Sequence, residues 1–198
     1  PQVYCKIIKN IVNNAIYFKD KLITIIMATG REKCDSAALA SIILKNMGFN
    51  VIETKYENVD VEKREPIIST SNLPLVEKIQ LITKEIVEPI DKTKLKFVKP
   101  RFGFWGVPPN DLSILKLFPD DTHVYGWTRC VEMGVPACYE TEITVDKNVP
   151  TVFYAQAFCA KASLAKYLSF KYNGLYVDID DVATNSIVAK IEAFINLR

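Results

Sequence analysis

The feature that most constrains the fold is a strand–helix–strand pattern in the first third of the chain. Leu22–Ala28 is an apolar run without charge, which is typical of a strand covered on both faces. Thr29 and Gly30 end this run, and a helix follows whose apolar residues share one face. Gly48 stands where a helix C-terminal glycine belongs, and Val51–Tyr56 resumes as a strand. The pattern predicts a parallel βαβ unit.

The remaining chain continues the alternation. Periodic apolar residues predict further helices at Tyr4–Ala15, Leu73–Val87, Leu112–Phe118, Phe158–Tyr172 and Ser186–Leu197. Strands are predicted at Pro66–Ser69, Lys96–Val107, Thr122–Trp127, Thr141–Val145, Thr151–Ala155 and Leu175–Ile179. This order predicts an α/β, Rossmann-like fold: a mostly parallel sheet of about six or seven strands with helices on both faces. We expect one domain over residues 1–198.

Between two of these strands the pattern changes. Cys130–Tyr139 contains a glycine and a proline and is predicted to be a loop. Thr141–Val145 alternates like an exposed strand, so Glu140, Glu142 and Asp146 are expected to face solvent.

Composition excludes several classes of protein. The 25 basic and 23 acidic residues are well mixed, so the chain lacks the clustered positive charge that nucleic-acid binding needs. The longest apolar run is too short to span a bilayer. Five cysteines, an odd number without tight pairs, favour a reducing cytoplasm over a disulfide framework.

The ends of the chain carry two further expectations. The chain opens at Pro1 rather than at a methionine, so we expect that a native N-terminal piece has been removed. The N-terminal helix, within residues 1–20, and the closing helix are expected to pair across the subunits of a homodimer.

Arg101–Asn110, with the sequence RFGFWGVPPN, is the most unusual stretch. It joins an aromatic strand with two spaced glycines to a Pro-Pro turn. Ligands of open α/β sheets collect at the carboxyl ends of strands, and we expect the loops after Ala28, Val107 and Trp127 to meet at one such edge. The predicted cofactor-binding residues are Thr29, Gly30, Glu53, Trp105, Gly106, Val107 and Pro108. The alternative is an edge strand that ends in a Pro-Pro stop.

Glu53 is the predicted ribose contact. It lies 23 residues after Gly30, where Rossmann folds place the acid that bonds a ribose. The loop after the first strand has one glycine instead of the three of the dinucleotide fingerprint, so the prediction rests on topology. The alternative is a solvated acid at a strand end.

A second unusual stretch, Gly126–Cys130, follows a strand and should also face the crevice. Trp127 could stack on a planar ring, Thr128 could orient a water or hydroxyl, and Arg129 could bind an anionic group. Cys130 is assigned to packing or pocket lining because no histidine base lies within sequence reach. Trp127, Thr128, Arg129 and Cys130 are therefore the predicted substrate-binding residues. Thr128 and Gln156 are the predicted catalytic ones.

Strong acid–base or metal chemistry is not predicted. His123, the only histidine, begins a strand and so lies opposite the crevice, where a structural role is favoured. Carboxylates near Asp178 could hold Mg²⁺ or a ribose, but capping of the closing helix by Asp180 or Asp181 is preferred. No metal site is predicted. An aromatic pocket with few ionisable groups favours group transfer from a cofactor that carries its own reactivity.

In FGFWGVPPND, HVYGWTRC and LYVDIDD the chain resembles the S-adenosylmethionine-dependent pyridinol C-methyltransferases of methanogenic archaea, which help to build the cofactor of the mononuclear-iron hydrogenase. The resemblance covers most of the chain. It implies a Rossmann-like homodimer that binds S-adenosylmethionine as dehydrogenases bind their dinucleotide and methylates a ring carbon of a hydroxypyridine. The glycine-rich signature of methyltransferases is missing from Thr29–Cys34, so no individual catalytic residue carries over.

The expected function is thus methylation of a small aromatic heterocycle by S-adenosylmethionine in cofactor biosynthesis. One alternative is an NAD(P)-dependent oxidoreductase on the same topology. The other is a non-enzymatic binding or scaffold protein with Trp105 and Trp127 as interface anchors.

Overall fold

The computed structural model describes residues 5–30, 33–55, 62–136 and 138–198. The helices are α1 (Lys6–Tyr17), α2 (Asp35–Asn46), α3 (Leu75–Glu85), α4 (Trp127–Glu132), α5 (Tyr139–Ile143), α6 (Lys161–Lys171) and α7 (Asn185–Asn196), with 3-10 helices at Lys19–Lys21 and Leu112–Leu117. The strands are β1 (Ile25–Ala28), β2 (Val51–Thr54), β3 (Phe102–Trp105), β4 (Thr122–Tyr125), β5 (Thr151–Gln156) and β6 (Leu175–Ile179). Tyr4 and Tyr56, where one predicted helix begins and one predicted strand ends, lie outside these ranges.

The described strands form two parallel sheets instead of the single sheet predicted. β1 pairs with β2 alone, and the other four strands pair in the order β4-β3-β5-β6. Neither sheet reaches the predicted six or seven strands, while the α/β class and the parallel pairing are as expected. Hydrophobic patterning specifies which face of a strand is buried, but it leaves open which neighbour pairs with its edges.

The four-stranded sheet carries helices on both faces. On one face, Phe104, Val152 and Val177 pack against α3, α7 and the 3-10 helix Leu112–Leu117. On the other face, Trp105 and Phe153 pack against α6. The strands β3, β4 and β5 are buried along their whole length, which is the environment of a central parallel sheet.

The smaller sheet has a core of its own. α1 and α2 cover one face, where Met27 of β1 packs with Ala40 and Leu44 of α2. On the other face the register partners Ile26 and Ile52 are 69% and 53% exposed. This N-terminal part of the chain is therefore a two-layer unit with one open face, so β1 is not covered on both faces as predicted.

The chain between β4 and β5 differs from the prediction. α4 follows β4 directly, so the predicted Cys130–Tyr139 loop begins inside a helix. The segment predicted as the exposed strand Thr141–Val145 is largely the short helix α5, and Glu142 is buried instead of facing solvent. The alternating pattern suited a strand, but packing of this segment against the large sheet selects one turn of helix.

Two smaller predictions are also wrong. Pro66–Ser69 forms a turn rather than a strand, and Thr184 caps α7 instead of Asp180 or Asp181. The carboxylate of Asp181 instead accepts a hydrogen bond from Lys6 of α1 over 2.9 Å. No helix in the described ranges has the length and apolar character needed to cross a membrane.

Candidate active-site cleft

A narrow cleft lies at the carboxyl end of the four-stranded sheet, the edge where open α/β sheets bind ligands. Its walls come from the ends of β3 and β5 and from α4, α5 and α6. The lining residues are Trp105, Gly106, Val107, Trp127, Glu142, Tyr154, Ala155, Gln156, Cys159 and Lys161. The cleft is closed in this structure, and no part of it is wide enough for a water molecule. A ligand can therefore enter only if one wall moves.

Two glycines allow the strand ends to approach each other here. A Cβ atom on Gly126 would lie 2.8 Å from the amide nitrogen of Gly106, and one on Gly106 would lie 2.6 Å from the carbonyl oxygen of Tyr154. Gly126 has φ 72° and ψ −150°, a conformation that is essentially restricted to glycine. The close packing of β3, β4 and β5 at the cleft thus depends on both glycines.

Five of the predicted site residues come together in this cleft: Trp105, Gly106, Val107, Trp127 and Gln156. They include the whole turn after β3 except Pro108, which is half-buried and does not line the cleft.

The two predicted catalytic side chains are bonded within the chain. The hydroxyl of Thr128 donates to the carbonyl of Gly106 over 2.8 Å, and Thr128 is 1% exposed. The amide of Gln156 donates to the carbonyl of Ile179 over 2.8 Å and accepts from the hydroxyl of Tyr154 over 3.0 Å. Both side chains therefore stabilise the carboxyl end of the sheet. Gln156 also lines the cleft, whereas Thr128 does not.

Arg129 and Cys130 do not line the cleft. The guanidinium of Arg129 donates to the carbonyls of Thr141 and Thr144, at the end of α5, and lies 4.9 Å from the ring centroid of Tyr125. Burial raises the pKa of Cys130 to about 12, so its thiol stays protonated at neutral pH and is a poor nucleophile. The packing role predicted for Cys130 agrees with this burial.

The remaining predicted residues lie on the smaller sheet. Thr29 is 4% exposed and its amide donates to Thr54, while Gly30 follows with φ 112°. Oε1 of Glu53 accepts hydrogen bonds from Ser41 and Lys45, each over 2.6 Å. These bonds, the one to Lys45 foremost, hold the pKa of Glu53 below its usual value.

Thr29, Gly30 and Glu53 do not line the cleft, so the loop after β1 does not meet the loops after β3 and β4 there as predicted. A side-chain contact between the two sheet units joins α1 to the segment after β6, where Lys6 donates a hydrogen bond to Asp181 over 2.9 Å. Burial raises the pKa of Cys159, in the loop after β5.

A charged pair in the cleft was not predicted from the sequence. Nζ of Lys161 donates to Oε2 of Glu142 over 2.5 Å, and Glu142 is 1% exposed. Oε1 of Glu142 has no hydrogen-bond partner in the described part of the chain. Lys161 follows β5 closely, so the rule about strand ends could have identified it. Glu142 carried no such signal, because its segment was predicted to be solvated.

His123 has the structural role that was predicted. It is 6% exposed, its Nε2 lies 2.7 Å from the carbonyl oxygen of Val98, and burial lowers its pKa. In the four described ranges, no group of three His, Cys, Asp or Glu side chains could hold a metal ion.

Comparisons with known proteins found no match to a protein-family model, to a curated protein or to a solved structure.

Proposed function

We propose that this protein is a Rossmann-like, S-adenosylmethionine-dependent methyltransferase that acts on a small aromatic heterocycle. The observation that carries the proposal is the cleft itself, where two indole rings and a buried carboxylate meet at the carboxyl edge of a parallel sheet. Flat rings suit a planar heterocycle, and both indole faces and a carboxylate favour the positive charge of a sulfonium.

The ionisable groups around the cleft agree with a reaction that draws its reactivity from the cofactor. Cys159 lines the cleft, but burial raises its pKa, which disfavours the nucleophilic thiolate. Burial also raises the pKa of Tyr154. Methyl transfer from a sulfonium needs neither an activated nucleophile on the protein nor a metal ion.

In this proposal the smaller sheet contributes to cofactor binding. The loop after β1 offers the exposed backbone of Gly30 to the adenosine part of the ligand. Glu53 remains the proposed ribose contact, in competition with its bonds to Ser41 and Lys45.

The proposal includes a homodimer, which exposed apolar side chains on α1 support. Ile16 and Tyr17, neighbours at the end of α1, are 49% and 80% exposed and offer apolar surface to a partner subunit. Sedimentation-velocity ultracentrifugation measures the oligomeric state, and a monomer at all concentrations contradicts this part of the proposal.

The scaffold alternative loses one of its two anchors. Trp105 is 1% exposed and its indole nitrogen donates to the carbonyl of Glu142 over 2.7 Å, so it is not available to a protein partner.

The test is titration of the protein with S-adenosylmethionine, S-adenosylhomocysteine, NAD and NADP, each in parallel. The two tryptophans of the chain both line the cleft, so intrinsic fluorescence reports its occupation alongside calorimetry. We expect micromolar binding of the two adenosyl ligands. Binding of the dinucleotides alone would favour an oxidoreductase, and binding of none would overturn the proposal.

Two substitutions locate the binding. Trp127→Leu is expected to weaken the binding of S-adenosylmethionine at least about tenfold, because it removes an aromatic ring from the cleft wall. Phe170→Leu is the matched control, because Phe170 is 92% exposed on α6 and is not part of the cleft. Glu53→Ala tests the ribose contact separately, and unchanged affinity in that variant would remove Glu53 from the site.

A further inference from the structure

In the described part of the chain, the half-buried guanidinium of Arg129 has no carboxylate partner. Its Nη2 donates to the backbone carbonyls of Thr141 and Thr144, and its Nε is buried and finds no acceptor there. Arg64 and Arg101, in contrast, each pair with a carboxylate. Carbonyl oxygens satisfy hydrogen bonds but do not neutralise a charge. The positive charge of Arg129 therefore lacks a counter-ion among these residues.

The surroundings of this guanidinium both oppose its charge and fix its orientation. Burial lowers the pKa of Arg129, because a less polar environment disfavours the charged form. The guanidinium lies 4.9 Å from the ring centroid of Tyr125, and this contact adds to the two carbonyl bonds in holding it. A guanidinium that is fixed in this way and lacks a counter-ion is preorganised to bind an anion.

Arg129 lines an open hollow of about 320 Å³, which has room for a small organic molecule. Lys63 lines the same hollow, and its ammonium lies 3.9 Å from the carboxylate of Glu140, whose side chain is 86% exposed. Pro66 and Met133 add apolar surface to the wall. Of the described residues, none lines both this hollow and the closed cleft. The hollow thus offers a second place for a ligand, with two positive charges and one exposed negative charge.

We propose that this hollow is a binding site for a small organic anion. The carboxylate or phosphate group of the ligand lies against Arg129 and Lys63, and its apolar part packs on Pro66 and Met133. The ligand supplies the negative charge that the surroundings of Arg129 lack. This site goes beyond the proposed methyltransferase activity, and its test does not involve S-adenosylmethionine.

The test follows the side-chain methyl signals of the three methionines by NMR. Met133 lines the hollow, whereas Met27 and Met47 belong to the smaller-sheet unit and report unspecific effects. The probes are phenyl phosphate, benzoate and benzyl alcohol, which is neutral. At low salt, the two anions are expected to shift the Met133 signal saturably with a Kd of about 1 mM or tighter, and benzyl alcohol is not. The anion that binds more tightly shows whether the site prefers a phosphate or a carboxylate.

Three exposed positions test the role of charge with little risk to the fold. Lys63→Gln is expected to weaken the binding of both anions about threefold. Lys116→Gln is the matched control, because it removes the same charge from an exposed lysine that does not line the hollow, and it should keep the wild-type affinity. Glu140→Gln removes the negative charge beside Lys63 and is expected to tighten the binding of both anions about twofold.

Arg129→Gln is expected to weaken the binding of both anions at least about tenfold. Unchanged signals of Met27 and Met47 show that the rest of this variant is folded. If it does not fold, the comparison of Lys63→Gln with Lys116→Gln decides. Equal affinities in those two variants overturn the proposal, as does equal binding of benzyl alcohol and the anions. The absence of a saturable Met133 shift with either anion also overturns it.

Discussion

The side-chain nitrogen of Lys78 donates a hydrogen bond to the backbone carbonyl of Thr122 over 2.6 Å. A second bond, of 2.9 Å, goes to the carbonyl of Asp120. Lys78 is fully buried on α3, so the two bonds tie this helix to the start of β4. Burial lowers the pKa of Lys78 to about 8, although the charges of Asp120 and Asp121 oppose the shift.

This shift predicts a pH-dependent contribution to stability. The pKa of an unfolded lysine is about 10.4. Between pH 8 and that value, the unfolded state therefore binds more protons than the folded state. The contribution of Lys78 to stability must therefore rise with pH across this interval. In urea unfolding, the free energy of unfolding of the wild type, relative to that of Lys78→Met, should increase by up to about 3 kcal/mol as the pH rises across this interval.

The same comparison controls for other groups that titrate in alkali. All other ionisable groups are the same in both proteins, so the difference isolates Lys78. A difference that stays constant above pH 8 would show that Lys78 keeps its proton when folded.

Gly126→Ala should destabilise the protein by at least about 2 kcal/mol. The new Cβ meets the backbone of Gly106 at 2.8 Å and the ring of Trp105 at 3.0 Å, in a backbone conformation that alanine rarely adopts. Gly48→Ala is the control, because Gly48 also has a positive φ, of 86°, but nothing lies within 4 Å of its added Cβ. If both variants lose the same free energy of unfolding in urea, the close contact at Gly126 contributes nothing to stability.

Alkylation by iodoacetamide should distinguish Cys34 from Cys130. Cys34 is exposed, whereas Cys130 is fully buried and its pKa is raised to about 12. Peptide mass spectrometry of the native protein at mildly alkaline pH should find Cys34 modified and Cys130 unmodified until urea unfolds the chain. Comparable rates at both thiols would contradict the burial of α4.

Glu132→Ala should destabilise the protein by about 3–5 kcal/mol. The carboxylate of Glu132 accepts from the amides of Ile68 and Ser69, over 2.6 and 2.9 Å, and from the hydroxyl of Ser69 over 2.5 Å. Its removal leaves these buried donors without an acceptor. Glu140→Ala, at an exposed position, should change the free energy of unfolding by less than about 0.5 kcal/mol, and a similar change in both variants would contradict this role.

The sequence by itself determined the α/β class and most of the elements. The apolar stripes of α1 and α7 and the apolar runs of β1 and β5 depend on side-chain patterning, which is a local property. Residues at or just after the carboxyl end of a strand, such as Gln156 and Trp127, were placed at the cleft by the polarity of a parallel sheet alone.

Tertiary structure alone decided how the strands divide into two sheets and which charges meet in the cleft. Strand edges present the same backbone groups to every neighbour, so pairing depends on how the whole chain packs. Glu142 is buried because Lys161, 19 residues away, supplies a compensating charge. The local pattern predicts that a glutamate at this position is solvated. Its burial depends on a charged partner that is distant in sequence, which only the tertiary structure supplies.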